Sequence, residues 1–327
     1  MPPQNYNLCV PLGETTAFAA AATAQANSDC AAKIAALDPG STVAIIGAGL
    51  SAPEFPLWPQ LAREVCKACS YRKGPATAHP KTFQAARDHN PKKYASFLTQ
   101  RFSAPILQVR LSLLYLFRLR FRAYITTNFD NSIVSAAECV RNDSVGVYVY
   151  PEHPDPPDLN EHNIVFIHGR CADLFEKDPD NLVLHYDGYK RAYVDLPGPL
   201  FRFFRGVFAS YNCLFVGTSL TDPPLQYLLG NLAQQNGRAD ATRMLLLSSN
   251  AFAANTVEQF KVSQTLEIAE AAEWKSKQSI DVLRYAPLTT NHGGLEFVFR
   301  TVCETRRSLS PSERLAMPTL PLSALEL

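Results

Sequence analysis

The sequence predicts a doubly wound α/β fold, built on a mostly parallel sheet with an inserted helical subdomain. Short β-branched, apolar runs recur at wide spacing, and helix-length amphipathic segments lie between most of them. Runs without a polar/apolar alternation are typical of strands that are covered on both faces, as in a parallel sheet. The predicted strands are residues 42–46, 123–126, 145–149, 164–167, 213–216, 244–247 and 280–283.

The interval between the first two predicted strands is too long to be a single crossover helix. It contains helix-length amphipathic patterns and no strand pattern, and these patterns cover roughly residues 57–70, 81–102 and 105–119. We therefore predict that a helical subdomain is inserted at about residues 71–119.

The two ends of the chain differ from this central region. Residues 1–40 are predicted to form an extension with one short helix that ends at the Asp38-Pro39-Gly40 turn. Residues 308–327 carry three prolines and no hydrophobic periodicity, which predicts a disordered tail. One large domain is therefore predicted at residues 41–307.

Composition excludes several classes of protein. A hydrophobic fraction of 46% and an aromatic fraction of 10% fit a soluble globular enzyme. The net charge of +1 gives no electrostatic reason to expect nucleic-acid binding. No apolar run is long enough to span a bilayer, and no signal-peptide pattern is present, so no membrane association is predicted. The eight cysteines show no disulfide-framework spacing, which favours reduced thiols and a cytoplasmic location.

A glycine-rich turn, Gly47-Ala48-Gly49-Leu50-Ser51-Ala52, directly follows the first predicted strand. Glycines there let the backbone approach a pyrophosphate closely, and amides at a helix start can donate to it. The alternative is a tight turn that needs glycine for backbone reasons alone. A dinucleotide-binding dehydrogenase would carry an acidic residue at the end of a second strand about 20 residues later. Residues 65–72 contain neither a strand pattern nor an acidic residue, which argues against an oxidoreductase function.

Polar motifs follow three further predicted strands. Because the carboxyl ends of strands in an open α/β sheet border one crevice, these motifs are expected to lie near the glycine turn. Each has a structural alternative, since Asn and Asp often cap helices and a lone histidine is more often structural than catalytic. Four motifs at one edge nevertheless predict a ligand site. The three motifs that join the glycine turn at this edge are Thr126-Thr127-Asn128-Phe129-Asp130, His168-Gly169 and Gly217-Thr218-Ser219-Leu220-Thr221-Asp222.

In this order the motifs resemble those of the sirtuin-like family, over about residues 41–230. The closer resemblance is to the bacterial sirtuin-like NAD hydrolases of antiphage defence, and it extends to about residue 305. The features that carry the closer resemblance are Asp187-Gly188-Tyr189 after His-Gly, a fourth motif that runs through Pro223, a last strand near 280–285 and a helix after His292.

The resemblance implies a catalytic domain that consumes NAD by cleaving the nicotinamide–ribose bond. It implies that Asn128 and His168 are the catalytic residues, with His168 as the acid/base group. Breaking this bond builds an oxocarbenium-like ribose, and a histidine can take up the proton that the reaction releases. The NAD-binding residues that it implies are Gly47, Ala48, Gly49, Ser51, Thr127, Asp130, Gly217 and Ser219.

One departure from the family concerns zinc. Protein deacetylases of this family carry two Cys-x-x-Cys pairs between His-Gly and Gly-Thr-Ser, whereas this interval has only Cys171 and Cys213. A structural zinc ion takes four ligands, and the one Cys-x-x-Cys, Cys66 to Cys69, precedes Asn128. We therefore expect no zinc, no acyl-lysine tunnel, and water as the nucleophile.

Other functions stay open at this point. A deacylase or ADP-ribosyltransferase would act on a protein, and a catalytically silent module would only bind NAD or ADP-ribose. Tyr189 and Trp58 each have a binding and a packing interpretation, and His185 and His292 are taken as structural. Because unregulated NAD cleavage would harm the host, we expect control through a homo-oligomer or a separate regulatory partner. The apolar face within residues 81–119 and the N-terminal helix within residues 18–36 are the candidate contacts.

Overall fold

Seven strands form one sheet in the part of the chain that the structure describes. The computed structural model describes residues 14–72, 79–103, 106, 108–141, 145–150, 159, 163–172, 182–194, 198–220, 226, 229–231, 241–253, 257–287 and 293–309. The strands are β1 (Thr42–Ile46), β2 (Ala123–Thr126), β3 (Gly146–Val149), β4 (Asn163–Phe166), β5 (Asn212–Val216), β6 (Arg243–Ser248) and β7 (Asp281–Tyr285).

All strand pairs are parallel, in the order β3-β4-β2-β1-β5-β6-β7. From β1 the chain adds β2, then β3 at the edge and β4 between β2 and β3, before it crosses to β5 on the other side of β1. The predicted doubly wound α/β fold is confirmed. In such sheets the point where the strand order reverses, here between β1 and β5, opens a crevice at the carboxyl ends of the strands.

The helices cover both faces of the sheet. They are α1 (Glu14–Ala35), α2 (Trp58–Ala68), α3 (His79–His89), α4 (Pro91–Phe102), α5 (Leu111–Arg118), α6 (Ser132–Val140), α7 (Tyr186–Tyr189), α8 (Pro199–Ser210), α9 (Val257–Gln278) and α10 (Gly293–Leu309). β1 shows the two layers, since Ala44 and Ile46 pack in the core with α1, α5, α6 and α10, whereas Val43 and Ile45 pack in the core with α8. Burial on both faces explains why the strands lack alternation.

A third core forms among α2, α3 and α4, which together we call the helical cap. The sequence pattern predicts one helix over 81–102, but the structure divides it into α3 and α4 at Asn90. The Asn90 side chain accepts a hydrogen bond from Lys93 N at 3.1 Å, and Pro91 lacks an N–H that would continue α3. α5 packs on the sheet instead, so the helices that stand apart from the sheet are α2 to α4.

The helices that the sequence offers as assembly contacts bury some of their apolar residues within their own chain, among them Cys30, Ala31 and Ile34 of α1. α1 is a 22-residue helix rather than a short one, and Asn27 exchanges two hydrogen bonds with Ala286, at 3.3 and 2.8 Å. The Arg306 guanidinium also donates to the carbonyls of Ile34 and Leu37, which ties α1 to α10. Leu98 of α4 lies in the cap core. Among the described residues, no helix is both long enough and apolar enough to cross a membrane.

Candidate active site

The four predicted motifs lie side by side along one edge of the sheet. Strand register aligns Ile46 with Thr126 and with Val216, and Thr126 with Phe166. The residues that follow these positions therefore leave neighbouring parallel strands at the same height. The site is thus bordered by the carboxyl ends of β4, β2, β1 and β5, as the sequence predicts.

The glycine turn after β1 interlocks with the end of β5. The Gly47 amide donates to Val216 O at 2.9 Å, and the Gly49 amide donates to Gly217 O at 2.8 Å. A Cβ atom at position 47 or 49 would stand 2.7 or 2.8 Å from Gly217 O, so neither site accepts a side chain without movement of the backbone. These glycines therefore serve the close approach of two backbones.

Hydrogen bonds within the protein also occupy later amides of the turn. Leu50 N donates to Gly47 O at 3.2 Å, and Ser51 N donates to Ala48 O at 3.1 Å. The amides of Gly47, Gly49, Leu50 and Ser51 are thus all used internally. A phosphate group at this turn would gain close backbone contact, whereas its hydrogen bonds would have to come from other donors.

A buried hydrogen-bond chain fixes the Asn128 amide. Nδ2 of Asn128 donates to Gly47 O at 3.3 Å and to Ser51 Oγ at 3.0 Å, and Ser51 Oγ donates to Asp130 Oδ1 at 3.2 Å. A carbonyl oxygen can only accept, so the amide nitrogen must face Gly47. Oδ1 of Asn128 is then presented as an acceptor. No group of the described residues hydrogen-bonds to this buried atom, although Asn128 is only 4% exposed.

Asp130 is the last member of this hydrogen-bond chain and accepts the hydrogen bond from Ser51. Its carboxylate is buried and accepts from Ser132 N at 2.9 Å as well as from Ser51. Burial raises the pKa of the Asp130 carboxyl, and the hydrogen bonds from Ser132 and Ser51 act in the opposite direction. Asp130 is therefore hydrogen-bonded directly to Ser51, and Ser51 links it to Asn128.

His168 is the second buried polar group at this edge. It is 1% exposed, its Nε2 lies 2.7 Å from the Tyr193 hydroxyl, and its Nδ1 makes no hydrogen bond to the described residues. Burial lowers the pKa of His168 to about 3, so the imidazole is neutral at physiological pH. A neutral imidazole with one uncommitted nitrogen can accept a proton.

Buried neutral histidine makes folding stability depend on pH. His168 titrates near pH 3 in the folded protein and near 6.5 when unfolded, so the unfolded chain binds a proton first as pH falls. Lowering the pH from 7 to 5 should cost about 2 kcal/mol of unfolding free energy through this residue. Urea unfolding at both pH values should show this loss in the parent and not in His168→Gln. Equal losses in the two proteins would contradict neutral burial.

Aromatic rings surround His168. Phe129 lies 6.4 Å away between ring centroids, Tyr189 lies at 5.4 Å and Tyr193 at 5.9 Å. Trp58 contacts Tyr189 at 6.3 Å, which links α2 of the helical cap to this wall. The packing interpretations of Trp58 and Tyr189 therefore have direct support. Tyr193 was not predicted as a site residue, although its four-residue spacing from Tyr189 places both on one face of a helical turn.

Other predicted residues occupy less central places. Thr127 and Gly217 are partly buried beside the site, and Ser219 is exposed on the loop after β5. His185 is buried, whereas His292, Asp222 and Pro223 lie outside the described residues. The cysteines that the sequence raises in connection with zinc are free thiols, namely Cys66, Cys69, Cys171 and Cys213. In the described parts of the chain, no three His, Cys, Asp or Glu residues group as metal ligands would.

Comparison with known proteins agrees with the resemblance in its broad form. A family model described as "SIR2-like domain" matches residues 122–278, a range that begins after the glycine turn and includes Asn128 and His168. The match supports a sirtuin-like family for this chain. A solved structure described as "Structural Basis for the Mechanism and Regulation of Sir2 Enzymes" matches with 13% identity and a TM-score of 0.43, over 86% of this chain and 99% of that one. No curated protein matches the sequence significantly.

Proposed function

We propose that this protein is an NAD glycohydrolase, which cleaves NAD to nicotinamide and ADP-ribose. One observation carries the proposal. Asn128 Oδ1 and His168 Nδ1 are buried polar atoms without a hydrogen-bond partner among the described residues, and they follow two paired strands, β2 and β4. Buried polar atoms are normally satisfied, so two unsatisfied ones at a sheet edge support a polar substrate there.

The reaction that these atoms serve is hydrolysis of the N-glycosidic bond. As that bond breaks, its electron pair leaves with nicotinamide, which departs neutral, and the ribose becomes oxocarbenium-like. A water oxygen then bonds to the ribose carbon and loses one proton. Asn128 Oδ1 accepts a hydrogen bond from that water, and His168 Nδ1 takes the proton before it passes to solvent.

The electrostatics of the site suit a cationic transition state. Because burial lowers the pKa of His168 to about 3, the site places no imidazolium charge beside the developing positive ribose. The Asp130 carboxyl is buried and already accepts hydrogen bonds from Ser51 and Ser132. A carboxylate nucleophile, as in retaining glycosidases, is therefore not part of the proposal, and water is the nucleophile.

Binding of the dinucleotide is proposed at the β1–β5 switch point. The pyrophosphate is proposed to contact the backbone of the glycine turn, beside the junction that this turn forms with the end of β5. Thr127 and Ser219 contribute polar groups on either side, and the adenosine half extends toward the loop after β5. Zinc has no place in this proposal.

Incubating the purified protein with NAD, while measuring nicotinamide and ADP-ribose, tests the function directly. Equal release of both products without added protein is expected. A requirement for an acylated or acceptor protein would favour a deacylase or an ADP-ribosyltransferase instead. NAD binding without nicotinamide release would favour a silent binding module.

The resemblance to antiphage NAD hydrolases extends the proposal to a biological role. The protein is proposed to deplete host NAD during phage infection, as an effector of abortive infection. Infected bacteria that express the parent protein should lose NAD and protect the surrounding culture, whereas cells that express Asn128→Ala should do neither. Normal NAD levels in infected cells that carry the parent protein would refute this role.

Regulation is proposed to act through assembly, either with itself or with a separate partner. The candidate helices α1 and α4 bury one face in their own chain, so their exposed faces are the surfaces proposed for the contact. Light scattering over a concentration series, paired with NAD cleavage, is expected to show activity rising with oligomer formation. A strict monomer with full, concentration-independent cleavage would contradict control by self-assembly.

A further inference from the structure

Tyr193 makes a directed contact with His168. The Tyr193 hydroxyl lies 2.7 Å from His168 Nε2, and both side chains are buried. The two ring planes meet at 87°, with centroids 5.9 Å apart. A heavy-atom distance of this size is that of a well-formed hydrogen bond, which ring packing alone would not produce.

Local backbone structure holds Tyr193 in this position. It lies in a π-helical turn, Lys190–Val194, which continues directly from α7. Its ring also stacks on Tyr189, with centroids 5.8 Å apart and planes at 20°. π-Helical turns are rare and occur frequently at functional sites. The turn and the stacked ring together leave the hydroxyl little freedom to move away from Nε2.

A hydrogen bond at one ring nitrogen of histidine decides what the other nitrogen can do. If Nε2–H donates to the Tyr193 oxygen, Nδ1 keeps its lone pair and can accept a proton. If the Tyr193 hydroxyl donates to Nε2, Nδ1 carries the hydrogen and cannot act as a base. Nδ1 is the nitrogen without a partner among the described residues, so it is the one available to a substrate.

We infer that Tyr193 is a positioning residue whose hydroxyl oxygen accepts Nε2–H of His168, so that Nδ1 becomes the proton acceptor of the reaction. Both the tautomer and its effect on rate follow from the proposed function, but the tautomer can be measured without substrate. When water attacks, its proton moves to Nδ1 and the imidazolium keeps its Nε2–H bond to Tyr193. The Tyr193 hydroxyl retains its own proton throughout, so no further acid or base is required.

Histidine ¹⁵N NMR tests the tautomer without any substrate. In protein labelled at its seven histidines, the His168 signals are identified by their loss in His168→Gln. We expect an unprotonated Nδ1 and a protonated Nε2 in the parent, and a shift of both signals in Tyr193→Phe. A protonated Nδ1 in the parent, or unchanged signals in Tyr193→Phe, would overturn the inference even if the protein cleaves NAD. The expected spectra would support it even if NAD cleavage were absent.

Kinetics test the consequence for the reaction. Tyr193→Phe should lower kcat by about 10- to 100-fold, because a displaced catalytic group costs that order of rate, with KM for NAD within about twofold. Tyr94→Phe is the matched control, since Tyr94 is a buried tyrosine of the helical cap, and it should keep the parental kcat. Thermal unfolding verifies that both variants fold. A parental kcat in folded Tyr193→Phe, or a rise in KM alone, would reject the positioning role.

Discussion

Alanine at Asn128 or at His168 is expected to abolish nicotinamide release from NAD while the protein stays folded. Asn128→Ala removes the buried acceptor that is proposed to orient water, and His168→Ala removes the proposed proton acceptor. General acid–base groups contribute about 10²–10⁴ in rate, so each loss should be at least of that order. Steady-state measurement of nicotinamide release gives kcat and KM for each variant.

The chain offers matched controls for both substitutions. His89 and Asn250 are exposed residues that do not follow β1, β2, β4 or β5, the strands that border the site, so His89→Ala and Asn250→Ala should retain the parental rate. Circular dichroism and thermal unfolding confirm that all four variants fold. If folded Asn128→Ala or His168→Ala hydrolyses NAD at the parental rate, the role assigned to that residue is wrong.

The hydrogen-bond chain behind Asn128 bears on how these variants are interpreted. Ser51 Oγ accepts from Asn128 and donates to Asp130, so loss of the Asn128 side chain also frees Ser51 to reorient. Asn128→Ala therefore removes the Oδ1 acceptor and, at the same time, loosens the hydrogen-bond chain through Ser51. Ser51→Ala separates the two effects. It keeps the Asn128 side chain and removes only Ser51 Oγ, one of the two acceptors of the Asn128 Nδ2 group.

Strand positions were predictable from the sequence because a strand that is buried on both faces has a short apolar run without polar/apolar alternation. The strands that border the site, β1, β2, β4 and β5, are short and mostly apolar, and each motif begins near the end of its strand. β1 and β2 begin and end at the predicted residues, and the other strands differ by one or two residues at their ends. Polar residues at the carboxyl ends could be placed at one edge because parallel strands share a direction.

Features that depend on side-chain partners were harder to predict. The pattern over 81–102 indicates one helix because helical periodicity persists through Asn90 and Pro91, whereas the structure breaks the helix there with the Asn90 cap hydrogen bond and Pro91 at the start of α4. The role of Tyr193 depends on a contact across 25 residues of sequence, which periodicity cannot reveal. The glycine turn was predicted as a phosphate site through its amides, whereas the structure shows those amides bonded within the protein.

Because the amides of the glycine turn are hydrogen-bonded within the protein, the β1–β5 junction is a structural element as well as a proposed binding element. The junction brings Gly47 and Gly49 against Gly217 so closely that any added side chain would meet backbone. Gly217 also adopts a φ of +67°, in the left-handed region that residues with a Cβ avoid. Gly217 is therefore a position where a single methyl group should destabilise the fold through both its backbone conformation and its close contacts.

Gly217→Ala is expected to lower the free energy of unfolding by about 2–5 kcal/mol. The left-handed backbone costs a residue with a Cβ about 1–2 kcal/mol, and forcing a methyl group into a packed junction adds about 1–3 kcal/mol. The new Cβ would lie 2.7 Å from Leu50 N and 3.0 Å from Leu50 Cγ, so the turn after β1 would have to move. Denaturant unfolding of parent and variant measures the loss.

Gly206→Ala provides the matched control for this substitution. Gly206 lies exposed in α8, where an added Cβ would meet no atom within 4 Å, so alanine there should raise stability by about 0.5–1 kcal/mol through helix propensity. Opposite signs from the same chemical change would show that the cost at Gly217 comes from conformation and close backbone approach. A Gly217→Ala protein as stable as the parent would mean that β1 and β5 do not meet as closely as the junction requires. The Asn128 amide, which donates to Gly47 O in that junction, would then lose the basis for its assigned orientation.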